Sequence, residues 1–223
     1  QRQMCIRDRN LNANVSRNFN KILELHPESK RMTLGGYDNF AIYAAENQRY
    51  GAIFGTKFLR VEDANSPYNG QLILSGTGLP QAKSNEAELL GDQTARALAG
   101  ITNSFTFKNF GLSFQIDGRF GGKFFSGTQR ALQASGSSAE TVVNGSRDNF
   151  VVDGVILKNG AYEKSTVAVT PQDYWTTVSG ASGNLGITEQ NLYNATNVRI
   201  RNLQLNYSIP KSVLKSSIVK NAK

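Results

Sequence analysis

A two-residue alternation running through residues 101–120 constrains this chain more than any other feature. From Leu112 onward, apolar Leu112, Phe114, Ile116 and Phe120 alternate with polar Ser113, Gln115, Asp117 and Arg119, and Gly118 falls on the apolar side. A β-strand sends successive side chains to opposite faces, so this order makes one dry face and one wet face. The preceding arm repeats it, with Ile101, Phe105 and Phe107 set against Thr102, Ser104, Thr106 and Lys108; Asn103 is the exception. Only Lys108-Asn109 lies between the arms, which leaves room for nothing but an antiparallel hairpin. Each arm reaches the ~9–11 residues that a tilted strand needs to cross a bilayer.

A second clear strand is expected over Val198–Ile209. Leu203, Leu205, Tyr207 and Ile209 point one way, Asn202, Gln204, Asn206 and Ser208 the other, and Pro210 ends the pairing. By simple parity Arg199 and Arg201 share the apolar side, which puts that end beyond the hydrocarbon zone. A third strand is expected over Tyr50–Arg60, a weaker first one at Leu11, Ala13 and Val15 with Phe19 beyond, and short ones at Asp38–Ala45 and Gly70–Leu74. Between Phe125 and Asn197 the periodicity fades into Gly, Ser, Asn and Thr. Two helical turns stand out there: Ser126–Ala134, and one opening at Thr170-Pro171-Gln172-Asp173, a cap residue before proline with an acid in the first turn. So long a connection is unusual in a compact soluble domain. Long loops on one side and tight turns on the other are instead the signature of outer-membrane barrels.

Composition agrees with a strand-rich chain half of whose side chains meet water. Hydrophobic residues make up 39%, against roughly 45–50% in globular proteins, yet 12 Phe and 8 Tyr argue against a disordered polymer. The net charge of +8 raises nucleic acid as a partner. The Lys and Arg are scattered singly, however, and the wet face carries mainly Ser, Thr, Asn and Gln, so no nucleic acid is expected. A rival soluble architecture, a secreted β-sandwich that binds carbohydrate, requires the apolar face to be covered by a second sheet. No apolar run approaches the ~20 residues of a membrane helix, a test that membrane strands escape.

Catalytic and metal chemistry find little footing. The single cysteine, Cys5, excludes an internal disulfide. His26, the only histidine, has Glu24 and Glu28 near it but too few further ligands for a metal. The run Gly118–Lys123 has the wrong spacing for a phosphate loop, with Phe124 where a hydroxyl is needed. No catalytic residue, no metal and no cofactor is expected, and the chain is not read as an enzyme. Residues 1–9 differ in composition from the rest of the chain and show no alternation, and they are read as a non-native leader.

Several blocks carry a family likeness. Leu89-Leu90-Gly91-Asp92-Gln93 followed by Ala99–Phe110 and Leu112–Gly122 is similar to a hairpin of the SusC/RagA-like TonB-dependent transporters. Tyr50–Gly55 resembles an upstream strand of that family, Gln172–Trp175 an extracellular loop motif, and Asn191–Arg201 through Tyr207–Pro210 a late strand. The resemblance implies an all-β fold: antiparallel strands of a large transmembrane barrel of about 22 strands with a plugged lumen. Residues 10–223 would then be a partial barrel domain, an open curved sheet of six or seven strands with long extracellular loops, lacking the plug and the final strands.

What the resemblance implies for function is import of oligosaccharides, glycans or peptides across the outer membrane of a Gram-negative bacterium. The partners would be a SusD-like surface lipoprotein, outer-membrane lipid, and the TonB complex acting through the plug. On that reading Phe105, Phe107, Leu112, Phe114, Ile116, Phe120, Leu203, Leu205 and Tyr207 face lipid. Ser113, Gln115, Asp117, Arg119 and Gln204 face the lumen, and Tyr174 and Trp175 sit in a loop able to contact substrate or the lipoprotein lid.

Overall fold

The computed structural model describes residues 7–84, 86–143, 145–180 and 184–210. In chain order its first strands are β1 (Arg7–Arg17), β2 (Arg31–Tyr37), β3 (Phe40–Ala45), β4 (Ala52–Gly55), β5 (Ile73–Leu74) and β6 (Glu88–Asp92). Then come β7 (Ala97–Phe107), β8 (Phe110–Phe120) and β9 (Lys123–Phe125), followed by helix α1 (Gly127–Ala134). Short strands β10 (Phe150–Val151), β11 (Val155–Lys158), β12 (Ala161–Lys164) and β13 (Ala168–Val169) lead to helix α2 (Pro171–Ser179). Last are β14 (Leu192–Asn194) and β15 (Asn197–Tyr207). The chain is thus mostly β and its sheets are antiparallel, apart from one short parallel pairing of β5 with β11. None of the described sheets closes into a barrel.

The chain forms two compact units. The first takes residues 7–19, 95–121 and 195–210 of those described; the second takes 20–94 and 122–194. The first unit is one four-stranded sheet in the order β1-β7-β8-β15, every neighbour antiparallel. Each strand is 11 residues long. The hairpin read from the alternation is β7–β8, registered from Phe107↔Phe110 beside the turn to Ala97↔Phe120 at the far end. Lys108 takes a left-handed φ of 53° to make so tight a turn. Six or seven wall strands were expected; four long ones pair here, and the other strands are short and belong to the second unit.

Two details of this sheet differ from the sequence reading. β1 starts at Arg7, inside the segment set aside as a leader, with Arg7 opposite Phe107 and Arg9 opposite Phe105. Ladder pairing uses backbone groups and so tolerates side chains that break an alternation. In β15 a β-bulge falls between Ile200 and Asn202, where Ile200 opposes Ile116 and Asn202 opposes Gln115. One extra residue flips the parity of everything beyond it. Val198 and Ile200 therefore share a face with Leu203, Leu205 and Tyr207, and Arg199 lies on the opposite face, beside Asp117.

The second unit buries three apolar clusters, each built from distant parts of the chain. Phe40, Ile53 and Leu90 meet Leu185; Phe58 meets Trp175, Val178 and Ile187; Leu74 meets Val152, Ile156 and Val169. Burying each such side chain contributes about 1.5–3 kcal/mol, so the stretch beyond Phe125 is a packed body and not a loose loop. The expected long strand Tyr50–Arg60 shrinks to β4, because Ala52 and Ile53 are both buried and the segment has no wet face. Both helices fall where their caps predicted: the Ser126 hydroxyl accepts from the Gln129 N–H, and the Thr170 hydroxyl from the Asp173 N–H. Gly180 ends α2 at φ 72°, and a Cβ there would lie 1.9 Å from the Asn184 carbonyl oxygen, so only glycine fits.

Candidate functional site

The register of the four-stranded sheet sorts its side chains by polarity with few exceptions. On one face lie Ile101, Phe105 and Phe107 of β7, with Phe110, Leu112, Phe114, Ile116 and Phe120 of β8 beside them. Leu11, Ala13 and Val15 extend this face on β1, and Val198, Ile200, Leu203, Leu205 and Tyr207 extend it on β15. All nine residues assigned to lipid by sequence share it. The polar exceptions are Arg7, Arg9 and Arg17 of β1 and Asn103 of β7; Asn103 is 4% exposed, and its amide oxygen accepts from Arg9 Nε at 3.2 Å. Rings gather toward the turn, where Phe110 and Tyr207 lie 4.6 Å apart between centroids.

This apolar face is open. Leu203 and Leu205 are 70% and 73% exposed, and even on the two inner strands Ile101, Phe105, Phe107 and Leu112 remain exposed. A soluble chain hides a contiguous surface of this kind or uses it for binding.

The other face is hydrophilic. Asn10, Asn12 and Asn14 of β1 adjoin Ser104, Thr102 and Gly100 of β7, which adjoin Ser113, Gln115 and Asp117 of β8. Asn202, Gln204 and Asn206 complete it on β15. All five residues assigned to a lumen by sequence lie here. Gln115 Nε2 donates to Asp117 Oδ1 at 3.2 Å, and Gln204 Nε2 to Asn206 Oδ1 at 3.2 Å. Asp117 also forms an ion pair with Arg201. Sequence parity missed Arg199 and Arg201 as members of this face. The signal was present all the same, since the apolar positions switch from even (Val198, Ile200) to odd (Leu203, Leu205), which is how one bulge residue shows itself.

Connectivity gives the sheet a direction. Arg17 opposes Ala97, Ala97 opposes Phe120, and Asn197 opposes Arg119, so all four crossings to and from the second unit's segments lie at one end. The Lys108-Asn109 turn lies at the other.

In the second unit, Trp175 is 7% exposed and packs with Phe58, Val178 and Ile187. Tyr174 stands edge-on to it at 5.0 Å, and burial raises the phenol pKa above its ordinary value. Both residues therefore contribute chiefly to packing, although Trp175 also lines a hollow of about 490 Å³ together with Gln133, Arg147, Asn149, Thr170 and Gln172. His26 is exposed, with its Nδ1 accepting from the Glu28 N–H at 3.4 Å. Among the described residues no group of acidic, histidine or cysteine side chains has the makings of a metal site.

Fold and site together define a mostly β chain carrying an open, two-faced antiparallel sheet. No protein-family model matches the chain, and no curated protein matches it.

Proposed function

We propose that this chain supplies part of the wall of a transmembrane β-barrel in a Gram-negative outer membrane, within a TonB-dependent transporter of the SusC/RagA-like type. The observation that carries the reading is the exposed apolar face spread over four adjacent 11-residue strands and backed by a hydrophilic one. Strands of that length match a tilted crossing of the hydrocarbon layer. Alternation of apolar and polar side chains is what a wall between lipid and water requires. A tight turn at one end and two long excursions from the other agree with the short periplasmic turns and long external loops of such barrels.

The sequence resemblance extends the proposal to import of oligosaccharides, glycans or peptides, with a SusD-like lipoprotein at the surface and the TonB complex as the energy source. In this role the chain is a wall and a loop scaffold, not a catalyst. The soluble β-sandwich fits less well, because its apolar face would lie beneath a second sheet and these side chains are exposed.

The test is nitroxide scanning of 112–117 in the chain folded into lipid bilayers, with Cys5 replaced by serine. Labels at 112, 114 and 116 should be reached by dissolved oxygen, and those at 113, 115 and 117 by a water-soluble nickel chelate. Phe114→Arg should weaken assembly by about 2–4 kcal/mol if that position lies near the bilayer midplane. Equal access of the nickel chelate to both sets would refute the wall.

A further inference from the structure

The hydrophilic face is electrically uneven. At the end where the chain crosses between units, Arg119, Arg199 and Arg201 surround the single carboxylate of Asp117 in a hollow of about 310 Å³. Asp117 opposes Arg199 in the ladder and pairs with Arg201, and the next polar position along β8 is Arg119, opposite Asn197. Arg199 stands here in the regular part of the ladder, and Arg201 reaches this spot because of the bulge. Without it, one residue would be gone and the ladder would be regular; with it, Arg201 is an extra residue whose guanidinium turns toward Asp117. On the other flank Asp117 faces Gly100, which brings no side chain; a Cβ there would lie 2.8 Å from Asn14 Oδ1. The Asn14 side chain occupies the space that Gly100 leaves, and the lining of the hollow carries three arginines and one carboxylate.

We infer that this hollow is a binding site for the carboxylate of an acidic oligosaccharide, a uronate-containing sugar passing along the aqueous face. Guanidinium groups offer paired N–H donors that match a carboxylate. The one internal carboxylate offsets one of the three positive charges, and the net charge of the hollow attracts an anion. The surrounding polar groups suit a polyhydroxylated ligand: the Asn14, Gln115 and Asn197 amides and the Thr102 hydroxyl both donate and accept. Among the residues lining the hollow, Leu98 is the one apolar side chain larger than alanine, and Ala99 shares the opposite, apolar face with Val15; this is too little greasy surface to select peptide side chains. Asp117 holds Arg201 in place and competes with the ligand, which gives the site a moderate and reversible grip suited to passage. This inference rests on the reading of the face as the lining of an aqueous passage.

The test titrates the full chain in lipid nanodiscs with a galacturonate trimer, a neutral glucose trimer and triglutamate. The galacturonate trimer should bind, more weakly as salt rises, and Arg199→Gln or Arg201→Gln should each weaken it about tenfold. Asp117→Asn should tighten it. All three positions face water, so the sheet's circular dichroism should not change. Equal binding of the glucose trimer, equal binding of triglutamate, or indifference to the arginine variants would overturn the site. The nitroxide pattern at 112–117 separates the two failures. If alternation persists without uronate binding, only the site falls; if alternation is lost, the wall falls with it.

Discussion

Tyr174 stands between two rings, 5.4 Å from Phe150 and 5.0 Å from Trp175, both edge-on. Burial disfavours the phenolate and raises its pKa. In the unfolded chain the same phenol ionises near about 10. The folded state therefore holds this proton more tightly, so its stabilising contribution is whole below the unfolded value and is lost as pH climbs through the folded one. Alkaline unfolding of the second unit should begin in that window, and Tyr174→Phe should move the midpoint to higher pH. Trp175 is the only tryptophan in the chain, so its fluorescence reports the transition directly. An unchanged midpoint would show that Tyr174 is not the group being titrated. As residue types, Tyr174 and Trp175 suit stacking on a sugar. What the sequence does not reveal is that Phe58, 117 positions away in the chain from Trp175 by their numbering, closes over the same cluster.

At the scale of elements, legibility followed how local the determining force is. The β7–β8 hairpin could be read directly because a two-residue turn fixes its register and one dry face repeats across it. Both helices could be read because a cap acts within three residues. β4 was expected, but as part of a longer strand over Tyr50–Arg60; its short extent was not legible, since its two faces are both buried and no alternation marks its ends. β15 was found, but with Arg199 assigned to the wrong face, because parity counting assumes an unbroken ladder. The bulge makes a sharp prediction. Deleting Arg201 joins Ile200 to Asn202 across the Ile116–Gln115 pair and leaves a regular ladder with every apolar residue still in place. It removes a half-exposed ion pair worth at most about 1 kcal/mol. Deleting Gln204 instead allows a regular ladder only by moving Asn202 opposite Phe114 and Leu203 opposite Ser113, inverting both. An amide forced onto the dry face costs about 1–3 kcal/mol. Denaturant midpoints of the two deletions in lipid should therefore differ clearly, with Arg201 the tolerated loss. Equal midpoints would mean that the bulge does not set the faces.

For the whole molecule, the decisive asymmetry is that segments 20–94 and 122–194 both leave the sheet and return to it at one end. They also share one interior. The Thr56 hydroxyl accepts from the Thr188 N–H at 3.0 Å, and the Thr188 hydroxyl accepts from the Thr56 N–H at 2.8 Å, across 132 residues of chain. Two excursions that co-fold in this way must lie in the same compartment, because neither half of the core is complete alone. If the sheet is a membrane wall, that compartment is the cell exterior and the 108–109 turn faces the periplasm. Single cysteines introduced in a Cys5→Ser background test this in intact cells exporting the chain. Ala64→Cys and Lys164→Cys, exposed positions in the two excursions, should both react with a membrane-impermeant maleimide added outside. Asn109→Cys, at the turn, should react only after the outer membrane is permeabilised. If the two excursions label on opposite sides, the shared core is wrong. If all three positions label from outside, the sheet does not cross the membrane, whatever the polarity of its faces.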